Sequence, residues 1–257
     1  MIAVPQVSVP DTLSKPDIHR AWIENLRTDE VNTFGFAALE RLLRQTDLRP
    51  GAAVLDAGCG TGTNSVWLAK RGFKVTGADF SEFALSEVEG EGIDYRREDL
   101  TALSLEDASF DAVICIGVLM HIPDVEKALQ ELVRVLRPGG YLIIAEANAN
   151  APETYAFRAY WRIARRNIRV DRKACGVEVW SETAAGPLLS RKTSATWLTR
   201  FLGDRGMKRV TRTTGELTEL YVYSGRIRKA VHRLNRLWFR LHGPPSLALG
   251  NYYLFRK

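Results

Sequence analysis

The 257-residue chain has only three cysteines, Cys59, Cys115 and Cys175, and no CxxC pair. That odd, scattered set supplies neither a disulfide framework nor a cysteine zinc site, and it fits a reducing cytoplasm. Long apolar runs are also missing. The longest, Ala112 to Met120, is nine residues, against the roughly 20 that a membrane span needs. The first residues show no basic patch followed by an apolar stretch, so no secretory signal is read. There is no internal repeat and no low-complexity tract. Acidic residues are scarce in one region alone. Residues 151–257 hold 7 acidic and 22 basic side chains, whereas residues 1–150 hold 23 acidic and 14 basic. The net charge of +6 is therefore the average of two unlike halves, which argues against an evenly basic nucleic-acid binder. The composition, 46% hydrophobic and 26% charged, is that of a globular protein and excludes disordered and fibrous classes.

The residues that are present alternate between two periods. Residues 1–16 carry three prolines and read as a loose arm, followed by helices near 17–27 and 31–46. From 53 to 146 short apolar strands alternate with amphipathic helices: strands at 53–56, 73–78, 92–96, 110–116 and 141–146, helices at 63–70, 81–89 and 123–136. Pro138-Gly139-Gly140 reads as the turn before the last of these strands. Repeated β–α units of this length predict a parallel sheet with helices on both faces. Beyond 147 the rhythm breaks. Residues 152–169 read as a helix with Phe157, Tyr160, Trp161, Ala164 and Ile168 opposite Arg158, Arg162, Arg165 and Arg169; residues 171–192 read as irregular. A helix near 194–204, a strand at 207–213, a basic amphipathic helix at 225–241 and a closing strand at 247–255 follow. In the helix at 225–241, Ile227, Val231, Leu234, Trp238 and Leu241 share a face opposite Arg228, Lys229, Arg236 and Arg240. The expected domain limits are an N-terminal arm and helical cap at 1–50, a nucleotide-cofactor core at 51–146, a lid at 147–192, and the end of the sheet with a basic helix at 193–257.

The chemistry is concentrated in Val54-Leu55-Asp56-Ala57-Gly58-Cys59-Gly60-Thr61-Gly62. A strand runs into alternate glycines and then a helix, so the backbone can turn tightly and a ligand can approach without meeting a Cβ. The dinucleotide pattern G-x-G-x-x-G fails, because its third position is Thr63 or Ser65. A phosphate-binding Gly-Lys-Ser/Thr is absent as well. Asp56 at the strand end would repel a pyrophosphate and would suit a cofactor that carries an ammonium and a sulfonium.

With Asp79 ending the second strand, Glu98-Asp99-Leu100 after the third, Phe110-Asp111 and His121-Ile-Pro-Asp124 around the fourth, and Leu136-Arg-Pro138-Gly139-Gly140 before the fifth, residues 50–146 resemble the class I S-adenosylmethionine-dependent methyltransferases. The resemblance implies a doubly wound, mostly parallel seven-stranded α/β sheet and S-adenosyl-L-methionine as cofactor. It implies that the Gly58–Gly62 loop, Cys59 included, runs under the amino-acid part of the cofactor, with Asp56 near its ammonium. Asp79 is implied to accept the ribose hydroxyls, with a capped turn as the plainer alternative. Asp99 is implied to meet the adenine amino group beside Leu100, or else to be a loop aspartate ahead of a helix. Phe80 is either an adenine-stacking ring or core filler, and Ile116 and Gly117 are implied to line the cofactor.

For the acceptor, His121 is the candidate general base, with a pocket-wall histidine as the alternative. An Asn/Asp-Pro-Pro-aromatic motif is missing after the fourth strand, as is a Pro-Cys nucleophile, so base-methylating enzymes are disfavoured. No metal site is expected; Glu146 and Asn148 are the only imaginable ligands. A small-molecule or lipid-linked acceptor under the 147–192 lid is the reading that remains, with nucleic acid disfavoured and RNA or protein methylation, or a non-catalytic cofactor binder at a membrane, as alternatives. The two basic helices, at 152–169 and 225–241, are ordinarily core-packed helices with a solvated charged face. The other readings are peripheral contact with an anionic membrane on its cytoplasmic side, a phosphorylated substrate, or RNA.

Overall fold

The computed structural model describes residues 29–88, 90–164, 168–183, 186–218 and 225–257. The expected arm at 1–16 and the helix at 17–27 lie outside them. The described chain opens with α1 (Asp29–Leu43) and then alternates: β1 (Ala53–Ala57), α2 (Thr63–Ala69), β2 (Lys74–Asp79), α3 (Glu82–Ser86), β3 (Asp94–Arg97), β4 (Phe110–Ile116), α4 (Val125–Val135) and β5 (Leu136–Ala147). After it come α5 (Pro152–Ala164), β6 (Ile168–Lys173), β7 (Gly176–Thr183), β8 (Gly186–Thr193), α6 (Ala195–Gly203), β9 (Lys208–Thr214), α7 (Gly225–Arg240) and β10 (Gly250–Arg256).

Seven strands form one sheet in the order β3-β2-β1-β4-β5-β10-β9. β1 to β5 pair parallel, and β10 runs antiparallel to both of its neighbours. Strand order reverses between β1 and β4, which opens a crevice at the carboxyl ends of those strands. Side-chain alternation divides the core between two faces. Leu55, Val113, Cys115, Leu142, Ile144, Tyr253 and Phe255 pack under α4 and α6. Val54, Ile114, Ile143, Tyr252 and Leu254 pack under α1, α2 and Phe239 of α7. Helix starts follow their capping residues: Ser81, Asp124 and Ser194 each accept a backbone N–H from the first turn.

Four expectations need correction. The described residues of 171–192 form most of an antiparallel sheet, β6-β7-β8. Val177 and Val179 alternate inward with Ile168 and Ala149 to form a small core, and Gly176 (φ 148°) and Gly186 (φ 124°) start the return strands in a backbone region closed to other residues. The helix expected at 152–169 ends by Ala164 and β6 begins at Ile168; the side chains of Arg158 and of Tyr160 onward, which define its two faces, lie outside the described residues. The Pro138-Gly139-Gly140 turn is absorbed into β5, where the register to β4 shifts between Phe110 and Ala112. Finally, the expected apolar face of α7 is only partly covered. His232, Asn235 and Phe239 are the buried side, Val231 and Trp238 are half-buried, and Ile227, Leu234 and Leu241 are exposed.

The antiparallel sheet, in the segment expected as a lid, is tied to the core by a buried charge. Arg191 of β8 is fully buried. Its Nε and Nη2 donate to Glu178 Oε1 on β7, at 3.2 and 2.7 Å. Its Nη1 donates to the Leu119 and Ile122 carbonyls, at 2.9 and 2.8 Å, and Nη2 to the Pro123 carbonyl at 3.1 Å. All five guanidinium donors are thus satisfied, and a Lys173 ammonium 2.8 Å away balances the second Glu178 oxygen. Glu178 is held below the ordinary carboxylate range by these two cations despite its burial. Arg191→Met should destabilise the protein by about 3–5 kcal/mol, because it strands Glu178, and lower the Tm by about 10 °C. Arg191→Lys, with three donors for five roles, should recover little of this in a thermal-unfolding measurement.

Candidate active site

The crevice is floored by the β1–α2 loop. Gly58, Gly60 and Gly62 all sit at positive φ (78°, 54° and 80°). A Cβ on Gly58 would collide with Val118, and one on Gly62 with the Tyr95 phenol. At Gly60 and Gly117, by contrast, a Cβ would meet no described atom within 4 Å. Both open glycines follow the carboxyl ends of their strands, β1 and β4, and leave bare backbone there for a ligand. The loop is fixed from below, since Gly58 and Cys59 donate their N–H groups to the Ala78 carbonyl at 2.7 and 2.9 Å.

Three carboxylates expected at the cofactor are placed differently from one another. Asp79, half-buried at the end of β2, accepts the Gly60 N–H on Oδ2 and the Ser81 N–H on Oδ1, both at 2.9 Å. It holds the glycine loop, and each oxygen keeps a second lone pair for a ligand hydroxyl. Asp99 accepts both the N–H and the hydroxyl of Thr101 on Oδ1, at 2.8 Å, beside the buried Leu100. Asp56 is 1% exposed, beneath the loop instead of on its rim. Its Oδ2 accepts the Ser65 hydroxyl at 2.6 Å, and burial pushes its pKa up to about 6. The same Ser65 hydroxyl meets Tyr95, whose phenol is pushed up to about 12. Neither Ser65 nor Tyr95 was legible as a site residue, since nothing in their spacing ties them to Asp56.

Phe80 follows Asp79 and lies under the Arg97 guanidinium, 5.4 Å from the ring centroid. Ile116 and Gly117 close β4 beside the loop. Cys59 is buried with its thiol raised well above its usual range by burial and by Asp56 and Asp79, which leaves it unreactive.

His121 ends a 3₁₀ turn, Leu119–His121, that follows β4. Its Nδ1 is 2.7 Å from the Leu189 carbonyl of β8. A carbonyl can only accept, so Nδ1 carries a proton, and Nε2 is the ring nitrogen left for proton transfer. Arg191 holds the same turn through Leu119 and Ile122, so the lid fixes both the position and the tautomer of His121. Glu146, near the end of β5, is 5% exposed. Its Oε2 accepts the Thr193 hydroxyl at 2.6 Å, and Oε1 makes no hydrogen bond of normal geometry. Burial pushes its pKa up to about 7, against the opposing pull of Thr193 and of the Arg191 and Lys192 charges. Asn148 is employed structurally: its amide donates to the Ser246 and Ala248 carbonyls at 3.1 Å and its oxygen accepts the Asn150 N–H. Among the described residues no cluster of three His, Cys, Asp or Glu side chains is arranged to hold a metal.

The comparisons with known proteins fall on these elements. The family model described as a methyltransferase domain matches residues 55–144. A ubiquinone biosynthesis O-methyltransferase of Hahella chejuensis is 38% identical over 165 residues, 61% of this chain and 68% of that protein. Methyltransferase GfsG of Streptomyces halstedii is 37% identical over 134 residues, 49% of this chain and 48% of that one. The chain thus spans between about half and two thirds of the length of these curated relatives. Burkholderia thailandensis 1,6-didemethyltoxoflavin-N1-methyltransferase, solved with S-adenosylhomocysteine, superposes with a TM-score of 0.60 at 19% identity, over 100% of this chain and 93% of that one. At that identity the likeness concerns the fold. The chain belongs to the class I S-adenosylmethionine-dependent methyltransferases.

Two buried carboxyl groups at this edge give a pH signature. Glu146 has a folded-state pKa of about 7 against 4.5 for the ordinary group. Its contribution is full below pH 4.5, where the group is neutral in both states, and is lost as pH rises through about 7. Asp56 adds the same sign between 3.8 and about 6. Glu146→Gln should therefore leave the Tm unchanged near pH 4.5 and raise it by a few degrees at pH 8, on the order of 2–4 °C per kcal/mol. A thermal-unfolding series across that range reads the difference in slope.

Proposed function

We propose that this chain transfers a methyl group from S-adenosylmethionine to a hydroxyl of a small or lipid-linked metabolite, with an amine as the other acceptor of the same class. The observation that carries it is His121, held through the Leu189 carbonyl in the turn after β4 that Arg191 also grips, next to Val118, which packs against Gly58 of the glycine loop. The donor set fits the cofactor: two open glycines give backbone approach, Asp79 and Asp99 offer carboxylate lone pairs for ribose and adenine donors, and Phe80, Leu100, Ile116 and Gly117 offer apolar or bare walls. Bound there, S-adenosylmethionine supplies an electrophilic methyl group and a thioether leaving group.

The chain's own residues supply the rest. His121 Nε2 takes the hydroxyl proton as the acceptor oxygen turns nucleophilic, and the Leu189 carbonyl stabilises the charged imidazole through Nδ1–H. The lid strands hold the acceptor over the crevice and keep water out, which supports in-line attack by positioning. The names of the relatives support the hydroxyl acceptor: one is an O-methyltransferase of ubiquinone biosynthesis.

Two variants separate the roles. Asp79→Ala should weaken S-adenosylhomocysteine binding in calorimetry by more than about tenfold, since it removes two hydroxyl contacts and frees the Gly60 N–H; an unchanged Kd would sink the ribose assignment. His121→Ala should lower kcat by about 10²–10⁴ and leave that Kd alone; turnover at the parent rate would leave His121 as a wall residue.

A further inference from the structure

Helix α7 presents to solvent what an amphipathic helix normally hides. Successive residues turn by about 100°. On that wheel the buried residues His232, Asn235 and Phe239 occupy a narrow arc. Next to it lie Arg226, Lys229, Arg233, Arg236 and Arg240, all exposed. Beyond them, in an arc of about 80°, lie Ile227, Leu234, Leu237 and Leu241, exposed at 63%, 48%, 54% and 72%. The helix contains no acidic residue. The outward half is thus a leucine stripe with a cationic stripe alongside it. Four large aliphatic side chains left in water, three on α7 and Leu241 in the turn that continues it, cost free energy unless something covers them.

Three of the possible occupants fit poorly. A second copy of the helix would bring five cations against five cations. RNA would meet the arginines and leave the leucines wet. A fold-back of the core is already excluded by the buried arc. A bilayer with anionic headgroups satisfies both stripes at once: the leucines enter the acyl boundary while the arginines stay among the phosphates. We propose that α7 is a docking surface for an anionic lipid bilayer, on which it lies in the plane of the interface.

The placement of α7 gives this contact a purpose. Trp238 Nε1 donates to Thr214 Oγ1 at 2.6 Å. Thr214 pairs with Asn251, and Asn251 with Glu146, across β9, β10 and β5. The helix is therefore fixed at the carboxyl edge of the sheet, the same edge that carries His121, Glu146 and the glycine loop. Docking through α7 brings the acceptor side of the protein to the lipid. No helix among the described residues is long and apolar enough to cross a membrane, so the contact is peripheral. The surface is independent of the methyl-transfer reading, because it is measured without turnover.

The test is co-sedimentation of the full chain with two sets of vesicles, phosphatidylcholine alone and phosphatidylcholine with a quarter phosphatidylglycerol. Binding is expected to the anionic set, to fall steeply with added salt, and to be lost in the double variant Leu237→Glu/Leu241→Glu. Arg233→Gln and Arg240→Gln should each weaken it by about fivefold. S-adenosylhomocysteine affinity, unchanged in all of these variants, reports that the fold and the crevice are intact. Equal binding to both vesicle sets, no binding to either, or variants that sediment like the parent chain would each overturn the proposal. So would a dimer in analytical ultracentrifugation that the leucine variants dissociate, or an RNA affinity that survives those variants and displaces the vesicles.

Discussion

The Arg191 guanidinium is the constraint on which the antiparallel sheet and the turn after β4 depend. A cation buried without water is tolerated only when every donor finds an acceptor. Here those acceptors come from two sources, Glu178 within the lid and three carbonyls around the β4–α4 turn. The lid therefore cannot drift from the turn without exposing a charge to an apolar gap. The position of His121 follows, since its own bond to Leu189 lies two residues from Arg191 on the same strand. The antiparallel sheet is a rigid bracket, with Thr193 continuing the contact to Glu146 one further alternation along β8.

Around that bracket the charge of the protein is sorted by depth. Asp56 and Glu146 lie beneath the crevice, raised toward neutrality by burial. Asp79 sits higher, half-buried and engaged with backbone N–H groups. Arg191 apart, the cations described on α7 and on the edge strand β9 lie toward the outside. The excess of 15 positive charges falls in residues 151–257, with an exposed share of it on α7, while the excess of acidic residues lies in the half that carries β1 to β5. The small overall charge reflects this division of labour.

The sheet was legible because its signals are local. Alternating apolar residues at 53–56 and 110–116, and glycines at three alternate positions, specify strand, turn and helix within a few residues of each other. His121 and Asp79 were legible for the same reason, as they end elements whose limits the pattern marks. The lid was not. Its strands have one polar face and short apolar stretches, and their order comes from Arg191 and Glu178, partners that sequence alone cannot pair. The Ser65–Asp56–Tyr95 group was hidden likewise, since three elements meet there. Helix α7 illustrates the opposite error. Its periodicity was read correctly, but periodicity reports that an apolar face exists and is silent about which side meets the core. Asn235, which binds Leu217 and Thr218, and Phe239 decided that instead.

The antiparallel β10 carries a consequence for how the chain assembles. β1 to β5 can join in the order in which they are made, each next to a strand already present. β9 has no such neighbour: it touches the sheet only through β10, which follows it by some 40 residues and must slot between β5 and β9. The far edge of the sheet is therefore built in one late, non-local event, with high contact order. Until then Tyr253, Leu254 and Phe255 have no sheet to lie in, and the β5 edge stays open to pairing with another chain. The segment between β9 and β10 contains α7, so the helix with the exposed leucines is delivered to the carboxyl edge by the same event that seals the sheet.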